Sequence, residues 1–146
     1  MSTRTQIAFE TTEVKVYKHS DGYPDGVLPT LLPFIDAFMK SRGFDPEYMV
    51  AQLCHAFLEE ADAAQKKWGD VHPEMASRWE KEFTGYGVDT EWHGDLDYRY
   101  IVRKNGAVDV FSVRPFGEDE PVLLGSFPQG TDPKVAIDAC TAAEGE

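Results

Sequence analysis

Positive charge is scarce in this chain. Fourteen lysines and arginines stand against 26 aspartates and glutamates, a net charge of −12. Nucleic-acid binding draws most of its affinity from phosphate neutralisation, so this balance disfavours generic DNA or RNA binding and attachment to anionic membranes. Cysteine is nearly absent as well. Cys54 and Cys140 are too few for a disulfide framework or a zinc site, and both read as small hydrophobic side chains. No apolar run approaches the ~18 residues of a membrane span, and no cationic stretch leads into an apolar one at the start. The expected location is the cytosol. Gly-x-Ser-x-Gly, Cys-x-x-Cys, His-Glu-x-x-His and a dinucleotide fingerprint are also missing, so the common enzyme classes lose weight.

What is present suits one ordinary domain. The chain has 146 residues, 42% of them hydrophobic, enough to bury a core. That core is expected over about residues 5–127, followed by an acidic segment over 115–146 whose end frays.

Residues 6–9 and 13–18 read as strands; in the second, Val14 and Val16 alternate with Lys15 and Tyr17. A helix is predicted from near Thr30 to Gly43, with Pro33 in its first turn. A second starts at Asp45-Pro46, carries Val50, Leu53, Cys54, Phe57, Leu58, Ala61 and Trp68 on one face, and stops at Gly69. A third, shorter helix is expected over 73–83. From Gly85 the period becomes that of strands: 86–92, 97–104, 107–114 and an edge strand over 121–127. Asn105-Gly106 predicts a two-residue hairpin loop, which places Tyr98, Tyr100 and Val102 on one face with Val113, Phe111 and Asp109. Asp132-Pro133 can cap a short helix. The order of elements describes an α+β domain, an antiparallel sheet of about four to six strands with two main helices on one face.

Two polar clusters are the candidate site. The first, residues 19–26, packs His19, Asp21, Tyr23 and Asp25 with two glycines and a proline. The second, residues 93–98, holds His93, Asp95, Asp97 and Tyr98. Spacing by two places His19 with Asp21, and His93 with Asp95 and Asp97, on common faces of extended chain. Converged, they could bind a divalent metal or set a histidine as general base with an aspartate orienting it. The competing role is structural, because aspartates before glycines accept hydrogen bonds from turn backbone. Tyr23, Tyr86, Tyr98 and Tyr100 divide in the same way between packing and a pocket wall that orients a small polar ligand. Gly85-Tyr86-Gly87 is no phosphate loop. His55 and His72 read as surface or boundary residues.

The run from Val16 to Pro24, with Val27-Leu28-Pro29 and a helix after it, carries a Tyr-x-His-x-Asp-Gly-Tyr-Pro signature. With Gly85-Tyr86-Gly87 and Gly94-Asp95-Leu96-Asp97-Tyr98-Arg99-Tyr100, it resembles a family of small uncharacterised proteins of bacteria and their phages. The resemblance spans roughly residues 13–113. It implies a shared fold and a bacterial or phage origin, and no activity. The commonest form of the family has an aromatic residue where this chain has Ser20.

The leading expectation is a non-enzymatic accessory or interaction protein that binds a basic protein partner or a small polar ligand. Its contact region would be His19, Asp21, Tyr23, Tyr86, His93, Asp95, Asp97 and Tyr98, without a cofactor. The alternative is a small metal-assisted hydrolase using His19, Asp21, His93 and Asp95. A third reading is an acidic nucleic-acid mimic.

Overall fold

Short strand-forming segments build the sheet, and the helical repeats cover one side of it. The computed structural model describes residues 3–19, 21–71, 85–113 and 120–145. The strands are β1 (Thr5–Phe9), β2 (Lys15–Lys18), β3 (Tyr86–Asp89), β4 (Tyr98–Val102), β5 (Val108–Ser112) and β6 (Val122–Phe127). They form one sheet in the order β3-β2-β1-β4-β5-β6. Every neighbouring pair is antiparallel except β1–β4, which is parallel. The expected α+β architecture is therefore present, with a mixed centre. The strand predicted over 121–127 is β6, at one edge.

The helices are α1 (Pro24–Arg42), α2 (Pro46–Val71) and α3 (Pro133–Glu144). Ile7, Phe9, Val16, Tyr100, Val102, Val108 and Val110 from the strands meet Val27, Leu28, Leu31, Ile35, Met49, Leu53 and Phe57 from α1 and α2 in one core. Ala136 and Cys140 of α3 join it, so the core runs past residue 127. The Asp132 carboxylate caps α3, accepting from the Lys134 amide at 2.8 Å. Asp45 precedes α2 as expected, but its carboxylate pairs with Arg42 at 3.2 Å. The third helix expected over 73–83 lies outside the described residues.

Two local expectations are corrected. Helix α1 begins at Pro24, six positions before Thr30, and carries Pro29 and Pro33 inside it. The buried stripe starts with Pro24, Val27 and Leu28, and that burial outweighs the turn preference of Asp25-Gly26. The hairpin between β4 and β5 pairs Tyr98 with Ser112, Tyr100 with Val110 and Val102 with Val108. The expected partners Val113, Phe111 and Asp109 are thus displaced by one residue, which moves Phe111 and Asp109 to the opposite face. The cause is the loop. Gly106 N–H donates to the Arg103 carbonyl at 2.9 Å, and Gly106 has φ of +85° while Asn105 keeps negative φ. That is a type I turn followed by a left-handed glycine, the three-residue connection rather than the two-residue one.

Central β1 is buried at all five positions. Its inner face, Thr5, Ile7 and Phe9, meets the helices. On its outer face Ala8 is buried, and Gln6 is hydrogen-bonded to the segment after β3, which folds back across the sheet. The rest of the outer face carries Lys15, Tyr17, Arg99, Ile101, Arg103, Asp109 and Phe111, in register beside them. None of the described helices is long and apolar enough to cross a membrane.

Candidate functional site

Lys18 ends β2 pointing inward, 4% exposed. Its ammonium donates to the carbonyls of Asp21 and Gly26 at 3.1 and 3.2 Å and lies over the Phe57 ring. Burial lowers its pKa, opposed by Glu60 and Asp21. The chain wraps around that cation. Asp21 takes a left-handed φ of +57°, the Gly22 amide donates to the Thr3 carbonyl at 2.9 Å, and the Tyr100 hydroxyl donates to the Gly22 carbonyl at 2.7 Å. Tyr23 donates its hydroxyl to the Asp21 carboxylate at 3.0 Å, which raises the Tyr23 phenol. Pro24 then opens α1. Most of the 21–26 motif is thus accounted for by the junction of β2 and α1.

Tyr86 stands on this inner side, stacked on Phe57 with centroids 5.6 Å apart. Burial first, then Glu60 and Asp21, push its phenol up to about 12. An acid with a raised folded pKa contributes stability that is complete below the ordinary value of 10.0 and is lost as pH rises through about 12. Tyr86→Phe is therefore expected to leave the neutral-pH melting temperature nearly unchanged. It should remove about 1–2 kcal/mol of the alkaline loss after allowance for solvent screening, as read by urea unfolding at stepped pH.

His19 is the next residue after Lys18 and faces the opposite side. Tyr17 Oη lies 2.9 Å from His19 Nδ1, and Arg4 Nε donates to the same nitrogen at 3.5 Å. Arginine only donates, so the network assigns Nδ1 as acceptor and the proton to Nε2. Arg4 also pairs with the exposed Asp95 at 2.7 Å. The Tyr17 ring packs on the His93 ring, centroids 4.7 Å apart, and burial raises the Tyr17 phenol against the pull of Arg4. His93 Nε2 lies 3.0 Å from the Asp89 carboxylate. That contact, with the Glu91 and Thr90 amides, holds the Asp89 carboxyl below its usual range.

The two clusters therefore converge in part. His19, His93 and Asp95 meet around Tyr17 and Arg4 on the outer face. Asp21, Tyr23 and Tyr86 lie on the helix side. Asp97 is buried, and its carboxylate accepts from the Arg4 amide at 3.0 Å, which ties the start of β1 to β4. Tyr98 points into the core and donates its hydroxyl to the Glu144 carboxylate at 2.8 and 2.9 Å. Among the described residues no three His, Cys, Asp or Glu side chains are placed to hold a metal ion. Burial raises both thiols, Cys140 to about 11, which keeps them protonated and poorly nucleophilic at neutral pH. His55 pairs with Glu59 on the exposed side of α2. His72 and Ser20 lie outside the described residues.

Sequence reasoning passed over five residues that organise the outer face: Arg4, Gln6, Tyr17, Trp92 and Arg99. Gln6 is 0% exposed. Its amide nitrogen donates to the Glu91 carbonyl at 3.0 Å and its amide oxygen accepts from the His93 amide at 2.8 Å. That pair of hydrogen bonds clamps the chain on both sides of Trp92. The indole lies between Lys15 of β2, 5.0 Å from its centroid, and Arg99 of β4, at 4.5 Å, and so spans β1. The available signal was the period of two, which sets Lys15, Tyr17 and His19 on one face. A comparison with protein-family models, curated proteins and solved structures finds no match to this chain.

Proposed function

We propose that this chain is a non-enzymatic binding protein whose recognition surface is the helix-free face of the sheet. The observation that carries this reading is the fixed presentation of Trp92 and His93 by the Gln6 clamp, beside Tyr17 and His19. A general base needs an imidazole aimed at a substrate. Here His19 accepts at Nδ1 from its own neighbours, which supports display of that ring over proton abstraction. Weighing against a metal-assisted hydrolase, the Asp21 carboxylate accepts from Tyr23 rather than standing with His19.

Of the two expected partner classes, a small polar ligand suits this face better than a basic protein. Arg4 and Arg103 on this face are paired with Asp95 and Asp109. Lys15 and Arg99 instead flank the Trp92 indole without a carboxylate partner among the described residues, and these two cations favour a ligand that carries an acceptor over a basic partner.

The test is thermal unfolding with Mg²⁺, Mn²⁺, Zn²⁺, a nucleotide panel and a panel of small organic acids, with p-nitrophenyl phosphate as hydrolysis probe. Native-state ligands raise apparent stability by mass action. The expected result is a saturable shift with an organic ligand, lost in His93→Ala and retained in Asp21→Asn. A saturable Mn²⁺ or Zn²⁺ shift with phosphate release, both lost in His19→Ala, would overturn the proposal in favour of the hydrolase.

A further inference from the structure

We infer that the groove beside Trp92 on β4 and β5 binds a small organic carboxylate with a flat apolar body, an inference that rests on the helix-free face being the recognition surface. Three guanidinium groups lie on that face, and they differ in one respect. Arg4 holds Asp95 and Arg103 holds Asp109, each at 2.7 Å. Arg99 pairs with no carboxylate among the described residues, and its Nε–H is shielded from solvent with no acceptor among them. A buried donor left without an acceptor carries its full desolvation penalty. An acceptor relieves it once the side chains that cover the Nε–H yield enough to admit one.

The surroundings define the acceptor. Arg99, Trp92, Ile101, Phe111, Pro121 and Glu120 line a groove of about 340 Å³, at the small end of ligand sites. Its walls are mostly apolar, with the guanidinium seated on the indole face. The planar fork of arginine matches a carboxylate through two parallel hydrogen bonds, which a spherical anion matches less well. Lys15 adds a second cation at the same indole. Its ammonium donates to the backbone carbonyls of Glu13 and Thr90, so no acidic side chain among the described residues neutralises it. Ile101, Phe111 and Pro121 leave room for a flat apolar body against the sheet. Glu120 is exposed and opposes an anion, which forces the ligand to enter with its carboxylate toward Arg99.

The experiment uses the full chain, 2-naphthoate as probe and 2-naphthamide as its uncharged counterpart, with calorimetric titration and the indole N–H resonance of Trp92 assigned through Trp92→Phe. The naphthoate is expected to shift that resonance and to bind at least about tenfold more tightly than the amide. Arg99→Met should abolish the difference between the two, and Arg99→Lys should retain part of it. Glu120→Gln, which leaves the core untouched, should tighten naphthoate and leave naphthamide unchanged. Equal affinity of acid and amide, full naphthoate affinity in Arg99→Met, or no effect of Glu120→Gln on naphthoate would each overturn the inference. If Arg99→Met fails to fold, the Glu120→Gln comparison decides. Loss of naphthoate binding while another panel ligand moves the Trp92 and His93 resonances would overturn this ligand class and spare the recognition surface. No ligand moving either resonance would overturn both.

Discussion

Gly26→Ala is expected to destabilise the protein by about 3–5 kcal/mol, a loss that overpacking at a rigid backbone contact can reach. For a chain of this length that is a drop in melting temperature of roughly 10–15 °C. The added methyl would overlap the backbone carbonyl of Asp21. That carbonyl has no room to retreat, because it and the Gly26 carbonyl share the buried Lys18 ammonium. Moving the loop outward lengthens both hydrogen bonds to a charge that water cannot reach. Moving it sideways disturbs Asp21, already at positive φ, and the Gly22 amide on Thr3. Asp25→Ala, one residue away in the same first turn, removes only a favourable helix-dipole contact and should cost less than about 1 kcal/mol. Urea unfolding of both variants makes the comparison. Equal, small losses in the two would show that the loop yields to the methyl and that Lys18 does not set its shape.

That prediction also shows why the opening motif was hard to read. Asp-Gly pairs carry the strongest turn preferences available, so Asp21-Gly22 and Asp25-Gly26 announced loops. At Gly26 the glycine serves close approach inside a helix instead, and the tertiary reason for it, an ammonium ion at residue 18, is written in another element. The same limit applied to the hairpin. Asn105-Gly106 located the turn correctly, yet the choice between two and three loop residues depends on whether Asn105 takes positive φ. Its side chain accepts from the Ala107 amide at 3.0 Å, and Gly106 alone supplies the left-handed residue. One residue of register then decided which side of the sheet received Phe111.

Much of the rest was legible because it is periodic. The apolar stripe of α2, the alternation in β2 and β4 and the Asp132-Pro133 helix start all follow from local chemistry. Within the site, His19, His93 and Asp95 were visible as residue types. Their meeting place was not, since it depends on the β2–β3 pairing and on the segment after β3 folding back over β2 and β1, which spacing along the chain does not disclose. Asp97 and Tyr98 looked equally functional, but their partners are the Arg4 amide and Glu144, 93 and 46 residues away, contacts that spacing cannot disclose.

Gln6→Leu is the substitution expected to separate the fold from the site. Leucine fills nearly the same volume, so the core suffers little cavity loss. What disappears are the two hydrogen bonds to the Glu91 carbonyl and the His93 amide. Two partly buried backbone groups are then left without partners, and the expected cost is about 2–3 kcal/mol. The functional effect should be larger than the thermodynamic one. Without the clamp the 90–95 segment lifts from β1, which takes Trp92 away from Arg99 and His93 away from Tyr17 together. Hydrogen exchange at the His93 amide should accelerate strongly while the amides of β4 and β5 keep their protection, the signature of local rather than global opening. Gln6→Glu supplies the control, because its buried carboxylate would face the Glu91 carbonyl oxygen. Exchange at the His93 amide should be at least as fast as in Gln6→Leu while the carboxylate is ionised. It should slow at a pH low enough to protonate that group, when its O–H can donate to the carbonyl. If Gln6→Leu accelerates exchange equally throughout the sheet, Gln6 is a core residue whose loss unfolds the protein. If it accelerates exchange at His93 alone, a single buried amide carries the presentation of Trp92 and His93 on the helix-free face.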